Sequence, residues 1–320
     1  MSINMTQRDY ELLRTLVRVQ LATTSCFQGT FFSTAHLVSK RFSQLRNAGL
    51  IATHSKGLPQ SYGVNRSRYW RITDAGVARL LERYPEERIP DNLVSRTSRA
   101  SLLFHQHRDA MTACYMRLIA SREANIEDMR ARAQIVDWRG EYDVVLDYSQ
   151  LVGVRHQAKK IVPDATLSTA HTRFFLEIDR STEPSSRLRA ILERYTSAFR
   201  QPSYTGLFPD ALPPSVLYVT KSEARAKNIS VLISELELPY AAYALNTPAA
   251  MDFLNDAINR QESAPPHARA KTQAESILGI LYQACREHVT TSPQCHSSAS
   301  ALSPALEQAY AHLVTLQGTH

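Results

Sequence analysis

Three carboxylates lie at the ends of two segments that the sequence predicts to be β-strands. Glu177 and Asp179 share one face of the strand predicted over 172–179, because alternate side chains of a strand point to the same side. Asp164 ends a second predicted strand, and Glu141 is an acid further upstream. Carboxylate oxygens are the ligands that Mg²⁺ and Mn²⁺ prefer. We therefore predict Asp164, Glu177, Asp179 and Glu141 as catalytic residues and Asp164 and Glu177 as metal ligands.

Acidic residues at strand ends also have a structural explanation. Arg173, Arg180 and Arg194 are close enough in sequence to pair with these carboxylates. Because acidic residues at strand ends are common, the pattern by itself favours this structural explanation, and the catalytic assignment depends on the order of the motifs.

A second set of residues is suited to binding DNA. The spacing predicts a helix that starts at Ser33-Thr34 and stops at Gly49, with Leu37, Val38, Phe42 and Leu45 as its apolar side. Its other side carries polar residues that can donate to phosphates and base edges, none of them acidic: His36, Ser39, Lys40, Ser43, Gln44 and Asn47.

The segments around this helix predict a compact helix-and-strand unit. A capped helix over Thr6–Val19 and a short one over Thr24–Thr30 precede it. Two short strands follow, joined by a polar loop, and Thr73 opens another helix. The loop and its edges carry basic side chains that we expect to reach flanking phosphates: Lys56, Arg66 and Arg68.

The excess of basic over acidic residues is confined to this part of the chain. The net charge is +7 and the pI is about 9.3. Residues 1–90 contain 13 basic and 6 acidic residues, whereas the other 230 contain 24 of each. This asymmetry favours a phosphate-binding module joined to a neutral body.

Composition excludes several classes of protein. With 43% hydrophobic and 21% charged residues, extensive disorder is excluded. No CxxC pair occurs among the four cysteines, which excludes a zinc ribbon, and no GxxxxGK loop occurs. The absence of a long apolar run or signal-peptide core predicts a cytoplasmic protein with no membrane partner.

Beyond residue 90, the pattern predicts a helix over 98–124 and then strands alternating with helices to residue 260, which is typical of an α/β layer with a mixed sheet. His105 and His107 point about 200° apart on a helix, so they cannot bind one ion together, and we interpret at least one of them as structural.

Pro85 and Pro90 mark a hinge. We predict domains over 1–90, 91–260 and 261–320. The last is a helical extension with a Ser-rich loop, which packs on the body or forms a homodimer.

Two runs support a resemblance in the first ninety residues. Leu45–Ile51 (LRNAGLI) and Ile72–Gly76 (ITDAG) flank the two predicted strands. Their order resembles the end of a recognition helix, the wing and the following helix of the winged helix-turn-helix family. That resemblance implies binding to double-stranded DNA.

The rest of the chain resembles the PD-(D/E)xK nuclease superfamily. The combination is similar to the replication-relaxation family of plasmid and integrative-element proteins, and to MobC-type mobilisation relaxases, over about residues 5–250. The residues that carry the likeness are Trp138–Glu141 (WRGE), Pro163–Ala165 (PDA), Phe175–Glu183 (FLEIDRSTE) and Leu192–Tyr195 (LERY). It implies a winged helix joined to a restriction-endonuclease-like α/β domain, acting in DNA relaxation, replication or conjugative mobilisation.

One position departs from the nuclease pattern. The lysine that usually follows two residues after the acid is Asp179 here, and Lys159 or Lys160 would have to substitute. We therefore expect a protein of a mobile genetic element that binds double-stranded DNA. A Mg²⁺- or Mn²⁺-dependent endonuclease or nickase is the first alternative, and a winged-helix transcriptional regulator is the second.

Overall fold

A computed structural model describes most of the chain to residue 263. The described residues are 3–54, 69–101, 105–120, 127–128, 130, 137–141, 143–147, 150–152, 155–157, 160–169, 171–180, 183–210 and 212–263. Three predicted features lie outside them: the basic residues Lys56, Arg66 and Arg68, the alternative lysine Lys159, and nearly all of the extension 261–320.

The first part of the chain follows the predicted order with two differences: a strand over Ala22–Thr23 was not predicted, and the short helix predicted over Thr24–Thr30 is a 3₁₀ turn over Thr24–Phe27. The elements are α1 (Gln7–Val19), β1 (Ala22–Thr23), a 3₁₀ turn (Thr24–Phe27), α2 (Ala35–Asn47), β2 (Ile51–His54), β3 (Tyr69–Ile72) and α3 (Asp74–Arg83). The strands form an antiparallel sheet in the order β1-β3-β2. The winged-helix interpretation of this unit stays a prediction.

Local capping groups explain where these helices begin and end. The Asp9 carboxylate accepts from the backbone N–H of Thr6 at 2.7 Å, as a capping box requires. The hydroxyls of Thr34 and Thr73 accept from the first turns of α2 and α3. Gly49 follows α2 with a φ of +76°, a conformation that favours glycine. These predicted boundaries are confirmed.

The long helix predicted over 98–124 is wrong. Two helices occupy this region instead, α4 (Leu93–Arg99) and α5 (His105–Ile119). The backbone turns to an extended ψ of 140° at Ala100, whose carbonyl oxygen lies 2.7 Å from Nε2 of His54. This contact with β2 competes with continuation of the helix, and periodicity could not reveal it.

A five-stranded mixed sheet forms the body of the protein. Its strands are β4 (Asp137–Gly140), β9 (Ala165–Ser168), β10 (Arg173–Asp179), β11 (Pro214–Thr220) and β12 (Ala241–Asn246). The order is β12-β11-β10-β9-β4, with β10, β11 and β12 parallel and the other two antiparallel. Two small pairs accompany it: β5 (Leu146–Asp147) with β8 (Lys160–Ile161), and β6 (Gln150–Val152) with β7 (Arg155–Gln157).

Helices cover both faces of this sheet. They are α6 (Ser185–Phe199), α7 (Pro202–Leu207), α8 (Glu223–Ser234) and α9 (Thr247–Ser263). Phe174 and Leu176 belong to the core shared with α5 and α9, whereas Phe175 belongs to the core shared with α6 and α8. The protein is thus a mixed α+β protein, and its likeness to nucleases stays a prediction. None of the described helices is long and apolar enough to span a bilayer.

The core continues across the predicted hinge. Leu16 of α1, Tyr115 of α5 and Trp138 of β4 lie in one apolar cluster. A Cβ atom at Gly140 would lie 2.6 Å from the carbonyl oxygen of Arg18, so only glycine allows β4 to approach α1 this closely. The boundary at residue 90 stays a prediction, but the described residues on its two sides pack together.

Candidate functional site

The predicted polar residues of α2 lie together on the surface. His36, Ser39, Lys40, Ser43, Gln44 and Asn47 are all exposed. We call these six residues the polar face of α2. Arg46 is exposed beside them, and α2 contains no acidic residue. The face is therefore accessible and electropositive, while its contact with DNA stays a prediction.

Packing on the opposite side fixes the orientation of α2. Val38, Phe42 and Leu45 are fully buried, and the ring of Phe42 lies 5.1 Å from the rings of both Phe27 and Trp70. This apolar contact directs the polar face outward.

An ion pair adds a second constraint on α2. Arg41 donates to both oxygens of Asp9, which is buried. Burial would raise the pKa of Asp9, but hydrogen bonds from Arg41 and Thr6 outweigh it and the net pKa is lowered. Asp9 is therefore ionised, and its ion pair with Arg41 connects α2 to α1.

The prediction that Leu37 belongs to the apolar side of α2 is wrong. Its side chain is 44% exposed. Residues three and four apart share a helix face, so Leu37 lines up with Lys40 and, one turn further, with Gln44. Val38 takes the core position instead.

The predicted acidic residues line a large cavity in the body of the protein. The cavity has a volume of about 980 Å³ and lies between α4, α5, α6 and the carboxyl end of β10. In sheets with parallel strands, ligands bind outside the carboxyl ends of the strands. The titratable residues of its lining include His107, Arg108, Glu141, Asp164, Glu177 and Asp179.

Asp164 is held from two sides. Its Oδ1 lies 2.7 Å from Nε2 of His107, and its Oδ2 accepts from the backbone N–H of Ile178 at 2.7 Å. Burial would lower the pKa of His107, but the hydrogen bond and charge of Asp164 outweigh it and the net pKa is raised. Sequence reasoning missed this pair because 57 residues separate its members and helical spacing gives no signal for it.

Glu177 holds its proton more tightly than an ordinary carboxyl group. Burial raises its pKa well above 4.5, and the nearby charge of Asp164 raises it further. The Tyr195 hydroxyl donates to Oε1 of Glu177 at 2.5 Å, which opposes the shift without cancelling it.

Asp179 forms an ion pair with Arg225 of α8. Arg225 donates to its two oxygens at 2.8 and 3.1 Å and also to the carbonyl oxygen of Glu183. The arginine-paired alternative thus describes Asp179, although Arg225 was not among the partners considered. At this position the predicted nuclease pattern requires a lysine, and the chain has an acid in an ion pair instead.

The remaining predicted groups are less central. Glu141 lies 3.2 Å from Arg108 at the cavity wall. Lys160, an alternative lysine, is exposed in β8 opposite Asp147 and does not line the cavity. From this position the structure does not support the idea that Lys160 replaces the missing lysine.

The cavity does not present the predicted three-carboxylate set for a metal. Among the residues described, no group of three or more His, Cys, Asp or Glu side chains is arranged to hold an ion. Both oxygens of Asp164 already have partners, and Asp179 is paired with Arg225. The assignment of Asp164 and Glu177 as ligands for Mg²⁺ or Mn²⁺ stays a prediction.

Together these features define a mixed α+β protein with an electropositive exposed helix and an acid-containing cavity at the end of its sheet. A family model described as replication-relaxation matches residues 13–210, more than half of the chain. The chain belongs to the replication-relaxation family, which supports a role in replication or relaxation of a plasmid or other mobile element. No curated protein and no solved structure matches it. The relationship to MobC-type relaxases stays a prediction.

Proposed function

We propose that the protein binds double-stranded DNA of a plasmid or integrative element through the polar face of α2, in DNA relaxation, replication or mobilisation. The observation that carries this proposal is the exposure of all six residues of that face on a helix without an acid. The surplus of basic residues before residue 90 supports it, because neutralising phosphates supplies most of the affinity of DNA-binding proteins.

The order of elements suits a winged helix seated in the major groove. In such proteins the amino-terminal residues of the recognition helix contact base edges. The exposed Leu37, in the first turn of α2, then supplies an apolar contact for a thymine methyl group. Gln44 and Asn47, in the last turn, supply amide donors for phosphates. Lys40 supplies a charge for a phosphate. The strands β2 and β3 flank residues 55–68, whose basic side chains add to this charge.

The geometry of the cavity favours binding over hydrolysis. A metal-dependent nickase needs ionised carboxylates that are free to hold the metal. Here burial raises the pKa of Glu177, which disfavours its ionised form, and Asp179 is paired with Arg225. We propose that the nuclease-like body positions α2 and DNA without cutting it.

A charge reversal tests the interface. Lys40→Glu should weaken binding to a labelled duplex by roughly tenfold or more, since it removes an attraction to phosphate and adds a repulsion. Lys227→Glu is the matched control, because Lys227 is an exposed lysine on α8, outside the proposed interface. Fluorescence anisotropy at fixed salt compares the two with wild type. If both variants bind the duplex with equal affinity, α2 is not part of the DNA interface.

A further inference from the structure

The cavity contains a buried hydroxyl that lacks a partner. Tyr218 is 2% exposed and lines the cavity, yet its hydroxyl has no hydrogen-bond partner among the residues that the structure describes. It sits in β11 directly opposite Glu177 of β10. Buried hydroxyls are nearly always hydrogen-bonded, because leaving one unpaired destabilises the fold. An unpaired one at a cavity wall points to a bound group that accepts its hydrogen bond.

Two arginines on the same cavity have no carboxylate partner in the described part of the chain. Within the described ranges, Arg99 bonds only to the Ser95 carbonyl and hydroxyl, and Arg180 bonds to the Gln106 amide oxygen. The Nε of Arg180 is buried and makes no hydrogen bond to any described residue. Guanidinium groups bind phosphate oxygens in a fixed fork geometry. Their positive charges are therefore available to an anionic ligand.

The rest of the wall suits the organic part of such a ligand. Ile178, Leu188 and Ile191 contribute apolar surface beside the polar groups. The volume of about 980 Å³ is at the upper end of the usual range for small-molecule sites. The lining thus combines two arginines, an apolar wall and a buried hydroxyl with acidic residues. Three of these acids already have basic partners: Asp164 with His107, Glu141 with Arg108 and Asp179 with Arg225.

We propose that this cavity binds a nucleotide. Its phosphate lies on Arg99 and Arg180, and its base or sugar packs on the apolar wall and accepts from the hydroxyl of Tyr218. The nucleotide is either the end of a DNA strand or a free mononucleotide, since the two present the same chemistry to the site. Tyr218 lies beyond the matched residues 13–210, so this feature does not come from the family assignment. The proposal does not depend on duplex binding by α2.

Calorimetric titration with two probes tests it: thymidine 5′-monophosphate and a 5′-phosphorylated single-stranded tetranucleotide. Wild type should bind at least one with a dissociation constant below about 1 mM. Tyr218→Phe and the pair Arg99→Ala/Arg180→Ala should each weaken that binding by about tenfold. Tyr218→Phe removes a hydroxyl that has no partner among the described residues, so its thermal stability should equal or exceed that of wild type. The control Tyr243→Phe, on the neighbouring strand outside the cavity, should bind as wild type does.

Binding of the mononucleotide alone would identify a free nucleotide as the ligand, and binding of the oligonucleotide alone would identify a strand end. The proposal is overturned if wild type binds neither probe. It is also overturned if Tyr218→Phe binds as tightly as wild type, even where the arginine variant does not, because simple surface charge then explains the binding. Duplex affinity of the Lys40→Glu variant is measured separately, so failure of either proposal leaves the other intact.

Discussion

Arg41 donates to both carboxylate oxygens of Asp9, from Nε at 2.7 Å and from Nη2 at 2.5 Å. The same carboxylate caps α1 by accepting from the backbone N–H of Thr6. The buried carboxylate of Asp9 therefore caps the start of α1 and also binds α2 through Arg41. This double contact fixes the direction in which the polar face of α2 points into solvent.

Replacing Asp9 should destabilise the whole protein. Asp9→Ala removes a helix cap and leaves Arg41, which is 20% exposed, without its counter-ion. We expect a loss of about 2–4 kcal/mol in the free energy of unfolding. Urea denaturation measures it, with Asp74→Ala as control because Asp74 is an exposed acid in the first turn of α3. Equal losses would show that the Asp9–Arg41 pair contributes nothing special.

Glu177 should make the protein less stable at high pH. Its folded-state pKa is raised above the ordinary 4.5, so the folded protein binds this proton more tightly than the unfolded chain. Stability therefore falls as pH rises from that ordinary value towards the folded pKa. Glu177→Gln keeps an acceptor for Tyr195 and carries no charge, so its melting temperature should exceed that of wild type at pH 8 and approach it at pH 4.

Glu193→Gln is the control for this comparison, because Glu193 is exposed on α6. It should follow wild type across the pH range. A Glu177→Gln variant that melts below wild type at pH 8 would mean that the carboxylate is ionised and stabilised there.

Divalent metal should leave the stability of the protein unchanged. The described carboxylates do not form a three-ligand group, and Asp179 is already neutralised by Arg225. Melting with and without millimolar Mn²⁺ should give the same temperature, and supercoiled plasmid should not be nicked. A Mn²⁺-dependent stabilisation that disappears in Glu177→Gln, together with nicking, would favour the nickase instead.

A fragment of residues 1–92 should fold poorly. The separable module that the charge distribution suggests would lose the contacts of α1 with Tyr115 and Trp138 and the hydrogen bond from Gln20 to the carbonyl oxygen of Glu141. We expect reduced helix content by circular dichroism and binding of a hydrophobic dye, compared with residues 1–263. A cooperative thermal transition in the short fragment would show that the first ninety residues fold independently.

Local signals in the sequence predicted much of this fold. Thr6, Thr34 and Thr73 each precede a helix that begins where its cap predicts. The alternation in β10 correctly separates Phe174 from Glu177, because a strand has a period of two.

Pairings between distant residues were beyond prediction. Arg225 lies 46 residues from Asp179, and no spacing rule connects a helix residue with a strand end across an intervening strand. The ring of Tyr195 is buried in the core, and its hydroxyl also bonds Glu177, which lies 18 residues away in the sequence. Periodicity predicts which face of a helix or strand a residue occupies. It does not predict which distant side chain will contact that residue.

The salt dependence of duplex binding tests the central claim most directly. Each phosphate neutralised by a protein cation contributes about 0.9 to the slope of log affinity against log salt concentration. Wild type should show a steep negative slope, Lys40→Glu a weaker affinity with a slope shallower by about 1, and Lys227→Glu the wild-type line. A Lys40→Glu line that coincides with wild type at every salt concentration would contradict the assignment of α2 as the DNA-binding helix.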